Sequence, residues 1–299
     1  MDRLSVALLF AALAWPLPSA NAAEETKPHG RIKPDAKWLC YFGEDRDVLN
    51  VSGYDLLILE SEAIGKLSSE AKKGRTAIAY MSVGEVSANR WYWTDVKGKP
   101  WVLHANPEWP EDRLVDPRAP EWRELVVEEI APVLVELGYD GFFLDNVDTA
   151  EHLEKEDGEK YEGAEEAMKD LIRSLRARFP DAVIVANGGF SIVPFVAGEL
   201  DAMLCEGTVS TWRHREGGDG FDYAPIDDKA ETWLLPRLRR VKRTGLPILA
   251  LEYVDPNDAA EMERVRGEVI KAGNNPYLST RELDTFPGSD RLPPRPRDD

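Results

Sequence analysis

Gly141-Phe142-Phe143-Leu144-Asp145-Asn146-Val147-Asp148 is an apolar run that stops at a carboxylate. A continuous apolar run reads as a strand covered on both faces, as in a parallel sheet flanked by helices. Seven further β-rich runs accompany it: Trp38–Gly43, Leu56–Ser61, Thr76–Glu85, Ala182–Asn187, Ala202–Gly207, Pro247–Asp255 and Pro276–Glu282. Helical patterns lie between them, clearest at Ala119–Leu137, Tyr161–Phe179, Asp228–Thr244 and Asn257–Ala272. Asp116-Pro117 and Asp255-Pro256 read as helix starts, and Gly138, Gly245 and Gly273 as helix ends. Eight strands alternating with helices over about 250 residues predict an α/β protein, a single-domain (β/α)8 TIM barrel. The alternative is an open doubly wound sheet. Against it, Tyr41-Phe42-Gly43-Glu44 after the first strand lacks the glycine spacing of a phosphate loop. The longest connections, 86–118 and 208–227, follow the third and sixth strands and would sit at the catalytic rim.

Composition narrows the function. With 43% hydrophobic residues, the 299-residue chain can bury a large core, which excludes disorder throughout. Its 37 Lys+Arg against 55 Asp+Glu leave a net charge of −18, so nucleic acid and anionic membranes are poor partners. Most of that charge serves solubility, and a neutral or cationic partner is compatible with it. Residues 1–22 read as a signal peptide: Arg3, the apolar run Leu4–Leu13, then Ala20-Asn21-Ala22 as a cleavage site. A polar leader (23–36), the barrel (37–284) and a disordered Pro-rich tail (285–299) complete the expected organisation. The signal predicts a periplasmic or secreted protein, expected to be a monomer, and no later stretch is apolar enough to span a membrane. Cys40 and Cys205 lie in candidate buried strands, as two apolar thiols or, in an oxidising compartment, one disulfide.

Carboxylates end several of these strands: Glu85, Asp145 and Asp148, Glu206, then Glu252 and Asp255. Burying an unpaired charge is costly, so such acids seldom terminate apolar runs by accident. In a barrel all would point toward one mouth. Asp148 and Asp255 have capping as an equal alternative, and Glu60 reads as a helix start. Asp145 and Glu206 follow runs too apolar to be turns. Two facing carboxylates suit glycoside hydrolysis, one protonating the leaving oxygen while the other attacks or activates water. Clustered acids also suit Mg²⁺ or Ca²⁺, and spacing alone does not separate the two uses. The aromatic content of the rim connections favours sugar. Trp91, Tyr92, Trp93, Trp101 and Trp109 lie in one, and Trp212, Phe221 and Tyr223 in the other. An indole covers the apolar face of a sugar ring, although any single ring is as readily a packing residue. His29, His104, His152 and His214 are scattered, so no zinc site is expected, and no cofactor motif is present. Asn187 in Asn187-Gly188-Gly189-Phe190 is either a donor to substrate or part of a tight bend.

Ala79-Tyr80-Met81-Ser82-Val83-Gly84-Glu85 followed by Arg90-Trp91-Tyr92-Trp93 resembles the third-strand motif of glycoside hydrolase family 114, the endo-α-1,4-polygalactosaminidases. Gly138-Tyr139-Asp140-Gly141-Phe142-Phe143-Leu144-Asp145-Asn146-Val147-Asp148 resembles that family's fourth-strand signature. Asn187-Gly188-Gly189, Glu206-Gly207 and Leu251-Glu252-Tyr253 follow in the family's order. The resemblance implies an exported, metal-independent hydrolase of α-1,4-linked galactosamine polymers acting with retention, with Asp145 as nucleophile and Glu206 as general acid/base. It further implies a cleft lined by Glu85, Asp148, Asn187 and Glu252. Arg90, Trp91, Trp93, Trp212 and Tyr253 complete the candidate substrate-binding set. The rim insertions at 96–112 and 213–227 resemble a bacterial branch of the family and leave the polymer open. A carbohydrate-binding barrel without turnover and a divalent-metal hydrolase are the rival functions.

Overall fold

The computed structural model describes residues 29–215 and 220–287; the expected signal peptide and residues 288–299 of the expected tail lie outside them. Eight parallel strands form one sheet in the order of the chain: β1 (Trp38–Tyr41), β2 (Leu56–Leu59), β3 (Thr76–Ser82), β4 (Gly141–Asp145), β5 (Val183–Asn187), β6 (Ala202–Glu206), β7 (Ile248–Tyr253) and β8 (Asn275–Ser279). The sheet curls until its edges meet. There Trp38 Nε1 donates to Asn275 O at 3.2 Å, Asn275 Nδ2 to Ala36 O at 2.6 Å, and Phe42 N to Leu283 O at 2.8 Å. The result is a nearly closed (β/α)8 barrel, as the alternating pattern predicts. Almost every strand residue is buried, because the interior is filled by side chains and the outside is covered by helices.

The helical layer is uneven. A single 3₁₀ turn (Arg46–Asn50) joins β1 to β2, and two one-turn helices (Ser61–Ile64, Ser69–Lys72) join β2 to β3. Longer helices follow the later strands: Ala164–Arg178, Asp228–Thr244 and Ala259–Lys271. The helix between β3 and β4 is a composite, Pro120–Glu124 running through a π-helical turn, Leu125–Ile130, into Ala131–Glu136. Gly138, Gly245 and Gly273 all adopt positive φ just past helix ends, as expected. Two helix starts differ from expectation. Asp116 instead grips the Arg118 guanidinium at 2.7 Å, and the helix begins at Pro120. The last helix is capped by Asp258, which accepts from Glu261 N at 2.9 Å, rather than by Asp255.

The expected strand Thr76–Glu85 is broken. At Gly84 a Cβ would lie 2.0 Å from Asn146 O, so the chain passes tightly under the β4 loop there. Trp122, fully buried, donates from Nε1 to Val83 O at 2.9 Å and fixes the turn. Beyond it the chain builds a three-stranded antiparallel rim sheet from Glu85–Ser87, Val102–Ala105 and Asp112–Val115. A second insertion after β6 forms the hairpin Ser210–His214 with Phe221–Pro225. The barrel's boundaries are also wider than the sequence suggests. Ile32 of the polar leader and Thr285 and Phe286 of the tail are buried, and Phe286 meets the Tyr41 ring edge-on at 5.3 Å.

Candidate active site

Strand register assembles the mouth. Ser82 pairs with Asp145, and Asn187 with Leu204, two residues before Glu206. Alternation along a strand then places Tyr80, Ser82, Asp145, Asn187 and Glu206 on the inner face. Glu206 pairs with Leu251, so Tyr253, two residues further, joins the same face.

The hydrogen bonds follow that placement. Asp145 accepts from Tyr80 Oη at Oδ2 (2.9 Å) and from Asn187 Nδ2 at Oδ1 (2.9 Å). The same Asn187 nitrogen donates to Glu206 Oε1 at 2.7 Å, and Tyr253 Oη donates to Glu206 Oε2. One amide therefore bridges the two acids. With its two N–H bonds splayed by roughly 120°, the bridged oxygens lie roughly 5 Å apart. After Asp145 the chain turns at Asn146, whose φ of 59° is left-handed and whose Nδ2 donates to Ser82 Oγ at 3.0 Å. That side-chain bond holds a conformation most residues avoid.

Protonation differs around the ring. Crowding by protein and the neighbouring Asp145 carboxylate push Glu206 up from the ordinary glutamate value, while the Tyr253 and Asn187 donors pull it down. Cys40 lies beneath the pair, and burial, then Glu206 and Asp145, push its thiol up. Cys40 and Cys205 are both buried and unbridged, which settles the pair as apolar thiols.

The remaining acids divide. Asp148 stands beside Gly188, at whose Cβ position its carboxylate would lie 3.6–3.7 Å away, and makes no capping bond. Desolvation and Asp145 raise its pKa, so it belongs to the mouth. Glu85 starts a rim strand rather than ending a barrel strand. It is buried, accepts from Asn106 Nδ2 at 2.9 and 3.2 Å, and is pushed up to about 7 by burial. Glu252 does not line the cleft. It is fully buried on the opposite face of β7 and accepts from Thr208 N (3.0 Å), Thr208 Oγ1, Val209 N (3.0 Å) and Ser210 N (2.7 Å). Asp255 takes Asn257 N at 2.9 Å and forms a turn. Arg90 pairs with neither Glu85 nor Glu252; its fork meets Glu60 at 3.0 and 2.8 Å and lies over the Tyr80 ring at 5.1 Å.

The aromatic residues also divide. Trp91 is half exposed and stands edge-on to the buried Tyr92 at 5.2 Å, and Trp93 is half-buried against the core. Trp101 is a core residue packed 5.7 Å from Trp122. Trp109 and Trp212 share a cation: Arg281 lies over one face of each ring, at 4.5 and 4.2 Å, joining the two insertions to the loop after β8. Tyr80, Ser82, Asn106 and Arg281 join the mouth and its rim beyond the residues the sequence predicts. Tyr80 and Ser82 carried a signal, two polar groups at period two inside an apolar strand. Nothing local marked Asn106 or Arg281.

Beside Asp145, a cavity of about 390 Å³ is lined by Tyr80, Ser82 and Asn146 and by the carboxylates of Glu44, Glu60, Glu62, Glu85, Glu111 and Asp112, with Arg90 as its cation. Asp112 lines the cavity, while its Oδ1 is buried away from solvent with no hydrogen-bond partner among the described residues.

The sequence matches glycoside-hydrolase family GH114 over residues 18–290. An uncharacterised protein of Thermotoga maritima is 26% identical over 278 residues, covering 85% of this chain and 84% of the relative. The glycoside hydrolase domain of PelA from Pseudomonas aeruginosa is similar with a TM-score of 0.73 at 24% identity, over 84% of this chain and 96% of that one. Ega3 of Aspergillus fumigatus, solved in complex with galactosamine, is similar with a TM-score of 0.65 at 16% identity, over 87% and 97%. The structural likenesses establish a shared barrel, and the family match spans all eight of its strands. The chain belongs to glycoside-hydrolase family GH114 and is a glycoside hydrolase acting on carbohydrate.

Proposed function

We propose that the protein is an exported hydrolase of α-1,4-linked galactosamine polymers that retains anomeric configuration. The observation that carries this reading is the Asn187 amide bridging Asp145 and Glu206. A separation of roughly 5 Å suits direct attack by a carboxylate; inverting enzymes hold theirs about 6.5–9.5 Å apart to admit a water. Glu206, its pKa raised, donates a proton to the glycosidic oxygen as the bond to the anomeric carbon breaks. Asp145, held by Tyr80 and Asn187, attacks that carbon and forms a glycosyl ester. Glu206, now ionised and stabilised by Tyr253, takes a proton from water, which hydrolyses the ester and restores both acids.

The acidic cavity supports an amino-sugar substrate. Among the described residues its single cation, Arg90, is already paired with Glu60, so the remaining carboxylates of the cavity are left to attract an ammonium group. Export rests on the apolar run before Ala22. The test follows the first-formed product from an α-1,4-galactosamine polymer by proton NMR. The α anomer should appear first; a β anomer, or no cleavage of this polymer alongside cleavage of its acetylated or a neutral form, overturns the mechanism or the substrate respectively.

A further inference from the structure

Two of the chain's four histidines converge, although sequence spacing gives no hint of it. His104 projects from the rim strand Val102–Ala105, and His152 and Glu156 stand one turn apart on the helix Thr149–Glu156 that follows the nucleophile strand. One ligand atom of each lies within 4.8 Å of the other two, and His104 Nε2 is 3.7 Å from Glu156 Oε2. We propose that His104, His152 and Glu156 form a zinc site that ties the rim sheet to this helix.

The donor set is chemically apt. Two imidazoles and a carboxylate are borderline ligands of the kind zinc takes, leaving one position for water. The helical i, i+4 spacing places two ligands on one face, as helical zinc motifs do. Zinc–ligand bonds of roughly 2.0–2.1 Å put tetrahedral ligands about 3.3 Å apart, so the three side chains must draw in by about 1 Å. All three are exposed, and rotamer adjustment supplies that movement without disturbing the core. Glu156 is the last residue of its helix, where the unpaired carbonyls favour a cation. The neighbouring Lys155 is held away, its Nζ bonded to Glu151. The rim sheet carries Glu85, so the ion would brace one wall of the acidic cavity.

The inference does not rest on the proposed hydrolysis, and its test reads binding. Zn²⁺ titrated by calorimetry into the chelator-stripped full chain should bind once per molecule and raise the melting midpoint by about 5 °C at saturation. His152→Ala, His104→Ala and Glu156→Gln should each weaken binding by about 100-fold or more, with unchanged midpoints in the absence of zinc. His152→Asn, which keeps a polar side chain of similar size, should lose binding equally and guards against an effect of truncation. Absence of binding to 1 mM zinc, or binding that survives all of these substitutions, overturns the site.

Discussion

Glu206 and Glu252 end neighbouring strands, and each follows an apolar run, yet their surroundings oppose one another. Glu206 faces the mouth and receives one bond from Asn187 and one from Tyr253. Glu252 is fully buried and saturated by four donors from Thr208–Ser210. Register explains the difference. Glu206 pairs with Leu251, so Glu252 lies one residue out of phase and points to the other face of the barrel wall. There it anchors the backbone that leaves β6, while its neighbours Ala250 and Val254 pack with Val265 and Val269 of the last helix. The acid that keeps accessible lone pairs is the one available for the proposed chemistry, and the one whose lone pairs are all occupied holds a loop.

Four experiments would break or sharpen that comparison. Glu206→Gln should lower kcat on a cleavable polymer by about 1,000-fold or more with an unchanged melting midpoint, as should Asp145→Asn. Comparable turnover in either variant would defeat the pairing. Glu252→Gln should do the reverse. Placing an amide among four donors costs about 4 kcal/mol of stability, measurable by urea unfolding, while kcat of the folded fraction stays within tenfold of wild type. Lost turnover at unchanged stability would return Glu252 to the cleft.

Glu85 is the intermediate case, buried but only partly satisfied. Its folded pKa of about 7 exceeds the unfolded value of 4.5, so the folded state binds more protons between those limits. Stability contributed by the protonated form is therefore lost as pH rises from about 4.5 through 7. Relative to Glu85→Gln, the wild type should lose about 2–3 kcal/mol between pH 4.5 and pH 8, read from unfolding curves; parallel pH profiles would refute the shift. The smallest effect concerns Tyr253→Phe. Tyr253 favours ionised Glu206, so its loss should raise that pKa and move the basic limb of kcat/KM upward. A downward shift would contradict Glu206 as the acid.

The barrel was legible because its strands are apolar throughout, and the convergence of Asp145 and Glu206 at one mouth because both interrupt that pattern at strand ends. Less legible were residues that act by contact. Asn187 read equally well as a bend, and only its two bonds show it bridging the acids. Trp109 and Trp212 read as a sugar platform, but Arg281, from the far end of the chain, takes one face of each. His104 and His152 read as scattered because convergence across two elements leaves no local spacing.

By itself the sequence determined the strand order, the four longest helical stretches and the placing of Asp145 and Glu206 at the ends of apolar strands, since these follow from periodicity and the cost of burying charge. Which glutamate faces the mouth and which anchors a loop was decided only by the tertiary structure. A one-residue offset between paired strands turns a side chain to the opposite face, and that offset exists only once the strands are in register.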